Sequence, residues 1–411
     1  MDRRVLFVSL ILFAGGATGV GVAVFAFVGI DDTSIDMSVA WETEPVEGDD
    51  GSGAVIATMD GAPLVVQSVI EDGERAVRAT AVGSGVLWTT PLSALDGDVG
   101  DHTGDDPPAI SPLTAGTLGG DDGIAFTTAD GTLVVLDTRD GSERLSVDAD
   151  VAGGIQPAIG QLGANGSNVV TAAGSDGTVV AVDDTGETVF ETSFDGDIDR
   201  RPLLVAADAD ADTTGGIAVL TEQNGTQTAH LFDATGAEQW STTPSVTPLS
   251  WTTAETRSGP ILAFGGANGN LETIEADDGS LRYEVGLQDL PVVVGDAGPG
   301  QIHVGGSGSV WAVDLLDGEV AWKQQYGGQS RVNSPGVGDV AGDGTLAPVA
   351  VNRDGGVLSM SRTGEVVARD TVGTAIVYAG PLFADVTDDD SDEVIIVTED
   401  GRIIALTHDS A

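Results

Sequence analysis

Apolar and polar positions alternate along most of this chain in short runs. From about residue 54 to the C-terminus the runs return with a period of roughly forty-five residues. In DGTLVVLDTRDGSERL, from Asp130, an apolar run leads into an acidic turn with Gly141, and Leu145 follows four positions after that glycine. The same order returns as DGTVVAVDDTGETVF from Asp176 and as GSVWAVDLLDGEVAW from Gly308. Runs of strand length separated by Gly and Asp turns, repeated at this period, predict a β-propeller in which each unit is one four-stranded blade.

The turn glycines set the register. Gly73, Gly131, Gly177, Gly225, Gly269, Gly308, Gly355 and Gly401 are each expected to precede the third strand of a unit. The fourth strands then carry Trp88, Leu145, Phe190, Trp240, Tyr283, Trp322 and Val367. The predicted fold is all-β, an eight-bladed propeller over residues 54–411 with units starting near 54, 108, 154, 199, 246, 289, 332 and 374. The last unit supplies only three strands, and a solitary strand-like segment with Trp41 lies upstream. Residues 36–43 are therefore expected to close the last blade, since pairing the two ends of the chain removes an open sheet edge. Residues 44–53 read as a linker. An acidic insertion at 93–107, rich in Gly and Pro, reads as a surface loop.

The N-terminus departs from this pattern. Val5 to Ile30 carries no charge and is long enough to cross a bilayer as a helix. Arg3 and Arg4 precede it, and Asp31 and Asp32 follow in a short linker, 31–35. The basic flank places residues 1–4 as a cytoplasmic tip and the propeller outside, on a single-pass signal anchor in the cell membrane. The alternative is a signal cleaved near Ala14-Gly15-Gly16-Ala17, which would leave a secreted propeller.

Charge narrows the partners. The 411 residues include 65 Asp and Glu against 16 Lys and Arg, a net charge of -49, with Lys323 the single lysine. A hydrophobic content of 41% argues for a folded core under a carboxylate surface. That surface resembles proteins of halophilic archaea, in which high salt screens self-repulsion. Nucleic acid is a poor partner for it. Cysteine is absent, which excludes disulfides, thiolate metal sites and cysteine nucleophiles.

The unit Asp314-Leu-Leu-Asp-Gly318-Glu-Val-Ala-Trp322 resembles the pyrroloquinoline-quinone (PQQ) type propeller repeat, A-x-D-x-x-T-G-x-x-x-W. Asp137–Leu145 and Glu275–Tyr283 share its spacing, while Asp183–Phe190 and Asp233–Trp240 keep it with one residue fewer. The resemblance implies an eight-bladed propeller of the kind found in quinoprotein dehydrogenases and in the outer-membrane assembly lipoprotein. In this turn the Asp can cap backbone amides and the Gly takes a positive φ; the Trp or its substitute packs between blades. A second resemblance is to FG-GAP calcium loops, D-x-D-x-D-G-x-x-D. Asp385, Thr387, Asp389 and Glu393 stand at positions one, three, five and nine, and Asp208, Asp210 and Asp212 at one, three and five. Asp339 and Asp343 keep a more degenerate version. Calcium (Ca2+) is the cofactor this implies.

A PQQ-dependent dehydrogenase would need a basic cluster for the quinone carboxylates, and only Lys323 and Arg331 come near one. A vicinal disulfide is impossible. His102, His230, His303 and His408 fall at different repeat positions and form no ligand pair. These absences argue against PQQ and against catalysis. The expected function is a non-catalytic scaffold, tethered by the N-terminal helix, that binds other cell-surface or membrane proteins or glycans. The alternatives are the quinoprotein dehydrogenase and a calcium-stabilised adhesion propeller.

Overall fold

The computed structural model describes residues 35–46, 53–95, 110–151, 154–163, 166, 168–206, 215–326, 330–373, 376 and 379–408. Its strands follow the repeat. The first unit is an antiparallel meander of Ala54–Met59, Ala62–Glu71, Glu74–Ala81 and Gly85–Pro91. Four more sheets of this order span 114–148, 158–193, 248–286 and 293–325. The first strand of each unit touches the first strand of the next, and Leu382–Ala384 of the last returns to Ala54–Met59, so these strands form a closed ring. The chain is thus all-β and propeller-like.

Burial follows position in the meander. Thr132–Asp137, a third strand, is buried at five successive positions because neighbouring sheets cover both its faces. The outermost strand Val320–Gln325 is covered on one face only and alternates half-buried with exposed residues. All eight turn glycines have φ between +75° and +92°, a left-handed conformation that these short hairpin turns use and that glycine adopts without strain.

The bulky residue of each fourth strand leans on the next unit. A Cβ added to Gly141 would lie no more than 3.0 Å from Trp88, and the same holds for Gly186 and Leu145, Gly236 and Phe190, Gly279 and Trp240, Gly318 and Tyr283, and Gly364 and Trp322. The glycine is therefore both a turn former and a docking floor. Each of the three indoles also donates Nε1–H across the junction at 2.9 Å: Trp88 to the Thr138 carbonyl, Trp240 to Ala276, and Trp322 to Arg362.

The seventh unit corrects the sequence register. Ser359 pairs with Ala368 and Met360 with Val366, which leaves Val367 in the bulge. In the fourth unit Trp240 pairs with Leu231 just after the equivalent bulge. Ala368, fully buried, thus occupies the position expected of Val367. That junction is closed differently. Strand β1 (Ile35–Glu42) runs parallel to β2 (Val366–Thr371) over Ile35↔Ala368 and Asp36↔Arg369. It is antiparallel to β3 (Ile403–His408), from Met37↔His408 to Glu42↔Ile404. The last two units thereby share one eight-stranded sheet.

Among the described residues no helix is long and apolar enough to cross a membrane. The expected span at 5–30, with 1–4 and 31–34, lies outside the described residues, as do 47–52 and 96–107.

Candidate functional site

The fourth unit breaks the pattern. Its first strand is split into Asp197–Ile198 and Leu203–Val205, both paired with Gly216–Gln223. Pro202, which has no N–H to donate to a ladder, stands in the gap with Asp199, Arg200 and Arg201. Two side chains orient the exposed turn: Trp251 Nε1–H donates to the Arg201 carbonyl at 3.1 Å, and Arg200 Nη1 donates to Asp199 Oδ2 at 2.8 Å.

The gap opens onto a cavity of about 300 Å³ at the inner edge of the fourth to seventh units, lined by Arg200, Arg201, Trp251 and Asp296 among others. A second cavity of about 240 Å³ adjoins it, shares Leu249 and Ser334 as walls, and is lined by Arg331 and Arg353. Arg331 leads into the seventh unit and forms a backbone bridge to Ser307 of the sixth; Arg353 sits in the turn before the seventh unit's third strand. In a meander the turn between strands two and three lies at the same end as the chain entering strand one. The four arginines therefore come to one end of the ring, opposite the docking turns between third and fourth strands.

The electrostatics are those of a crowded, open recess. Arg201 and Asp296 both touch solvent, yet protein surrounds them. Burial pulls the Arg201 guanidinium below its usual pKa, opposed by the charge of Asp296. Burial likewise pushes Asp296 up, opposed by Arg201 and by an amide hydrogen bond from Val337. Behind Asp296, buried His303 donates Nδ1–H to the Asp296 carbonyl at 3.2 Å. Burial is the main cause that depresses its imidazole to about 4, so it stays neutral.

The sequence singled out different residues. Asp385 Oδ1 accepts the amide of Asp389 and Oδ2 that of Asp390. Glu393, completely buried, accepts the Val386 amide at 2.8 Å and the Thr387 hydroxyl at 2.9 Å, and burial raises its pKa. Asp389 caps Ser391. Asp385, Asp389 and Glu393 thus each accept donors from within the loop, and among the described residues no three His, Asp or Glu side chains converge as metal ligands. Asp208, Asp210, Asp212 and His102 lie outside the described residues. Lys323 stacks on the Trp311 ring at 4.0 Å, away from the cavities. Of the two basic candidates only Arg331 reaches the inner cavities. Sequence reasoning missed Arg200, Arg201 and Arg353; the Arg-Arg-Pro interruption of a first strand was the available signal.

A family profile described as PQQ_2, outer membrane protein assembly factor BamB, matches residues 73–225, 155–288, 225–347 and 306–411. The outer membrane protein assembly factor BamB of Yersinia pestis is 27% identical over 257 residues, 58% of this chain. The match spans 61% of that relative's length. BamB from Moraxella catarrhalis superimposes with a TM-score of 0.57 at 16% identity, covering 91% of this chain and 98% of its own. The computationally designed Ika8 protein gives 0.61 at 17% identity, over 89% of this chain and 98% of its own. Sqt1 of Saccharomyces cerevisiae gives 0.58 at 13%, over 92% and 99%. At such identities the solved structures show a shared fold alone. With its overlapping profile matches running from residue 73 to the end, the chain belongs to the PQQ_2 family, outer membrane protein assembly factor BamB.

Proposed function

We propose that this chain is an eight-bladed, non-catalytic scaffold, held outside the cytoplasm by residues 5–30, that docks other membrane or cell-surface proteins. The observation that carries this reading is the use made of the repeat. Its bulky fourth-strand residues and the glycines they rest on join one unit to the next, and its capping acids hold the turns in which those glycines sit. The family's descriptive name, an assembly factor, points the same way.

The dehydrogenase alternative gains little from the cavities. Trp251 is 6% exposed and stacks on Phe264 with centroids 6.0 Å apart, so its face is covered and cannot sandwich a quinone. Among the described residues Asp296 is the single carboxylate lining either cavity, too few oxygen donors for a bound calcium beside a catalytic base. These residues do not suit a quinone–calcium centre.

Crosslinking in intact cells, followed by mass spectrometry, tests the scaffold. The expected result is one membrane or surface protein recovered with the chain in constant ratio. A chain that stays monomeric and captures nothing, or that reduces dye after quinone addition, would overturn the reading.

A further inference from the structure

The two adjoining cavities concentrate positive charge where composition alone would place negative charge. The chain has about four acidic residues for every basic one, from 65 against 16. The cavity linings reverse that ratio, with Arg200, Arg201, Arg331 and Arg353 against Asp296. We propose that the paired cavities bind a small organic dicarboxylate, with one carboxylate held at the Arg201 end and the other at the Arg331–Arg353 end.

Three features select this chemistry. Guanidinium groups present a planar fork of donors that matches a carboxylate. The arginines fall into two groups, Arg200 with Arg201 and Arg331 with Arg353, on either side of the shared Leu249 and Ser334 walls. Two anionic groups on one molecule suit that division better than a single anion. Between them, Leu249, Val293 and Val294 offer an apolar surface for a short hydrocarbon link. Arg200 already has Asp199 at 2.8 Å, which leaves Arg201 as the principal contact of its group. Asp296 opposes the ligand and sets an upper limit on its affinity.

Isothermal titration of the full chain with succinate, and with acetate at matched ionic strength, tests the site. Saturable binding of succinate, with acetate at least about tenfold weaker, is expected, since one lost charge-assisted contact is worth about that factor. The double variant Arg201→Gln/Arg331→Gln should lose about tenfold or more in succinate affinity. Should that variant not fold, Asp296→Asn provides an independent arm and should bind succinate several-fold tighter. No saturable succinate heat, equal affinity for acetate, saturable phosphate binding without succinate binding, or an Asp296→Asn variant with unchanged or weaker affinity would each overturn the proposal.

Discussion

Six junctions between successive units share one device, and the junction between the last two uses another. At the six, a Trp, Tyr, Phe or Leu of one fourth strand rests on a glycine in the next unit's turn between strands three and four. In the last unit the third strand is β3 and the fourth is β1, from the other end of the sequence, so no turn joins them. The docking floor is missing, and so is the docking residue: Ala368 stands where the other units carry a bulky side chain. In its place β1 pairs its backbone with both β2 and β3, and Met37 enters the cluster that holds Ala368, Ile404 and Leu406. A junction can thus be closed by a side chain on a turn or by a shared strand. The shared strand closes the one of these junctions whose receiving unit is discontinuous in sequence.

The largest expected effect comes from removing a side-chain lock. Trp88→Ala should cost about 3–5 kcal/mol in urea unfolding at constant salt, through a cavity and a lost indole hydrogen bond. Gly141→Ala should cost clearly more than Gly83→Ala. Both have positive φ, but only Gly141 faces Trp88, while nothing lies within 4 Å of a Cβ at Gly83. Strain alone is worth about 1 kcal/mol. Equal losses at the two glycines would show that the docking floor matters little.

Next is the strand lock. Met37→Ala should cost about 2–4 kcal/mol, because Met37 is 5% exposed in the junction cluster. Val39→Ala on the same strand, 52% exposed, should stay within about 0.5 kcal/mol. Similar losses at both positions would mean that β1 acts through its backbone pairing alone.

The smallest effect separates one side-chain lock from the rest by pH. His303 lies 5.9 Å from the Trp322 ring, and its imidazole is depressed from an ordinary 6.5 to about 4. In the fold it remains neutral, whereas the unfolded chain takes up a proton as pH falls below 6.5. Its contribution to stability is therefore complete above pH 6.5 and is lost as pH falls toward 4, by roughly 2–3 kcal/mol. His303→Gln should remove this component of the acid limb, measured as the difference between the two stability curves. Parallel curves from pH 7 to 4 would refute it. Acid changes in the many carboxylates and in His408 are common to both proteins and cancel in that difference.

Much of this comparison was legible before the fold. Turn glycines and docking residues recur because each acts within a few residues of itself: a hairpin needs a positive φ, and a fourth strand must present one bulky side chain at a set distance from its turn. The seventh unit was read one residue out of register, since two adjacent small apolar residues, Val367 and Ala368, carry no bulk to mark which one pairs and which one bulges. The Asp385 loop shows the same limit. Its spacing marks an oxygen-rich turn, and only the fold shows that Asp385 and Glu393 accept amides from within that loop.

The repeat, the four-stranded unit and the chemistry of the turns can be read from the chain alone, because strand period, glycine conformation and Asp capping are local. Only the tertiary structure decided where Arg200, Arg201, Arg331 and Arg353 meet. These residues occupy different positions in their repeats, one pair in a broken first strand and the others in a connection and a turn. No local rule relates them. Closure of the ring of first strands brings that end of four successive units around one recess, and there a strongly acidic chain gathers four of its 16 basic residues.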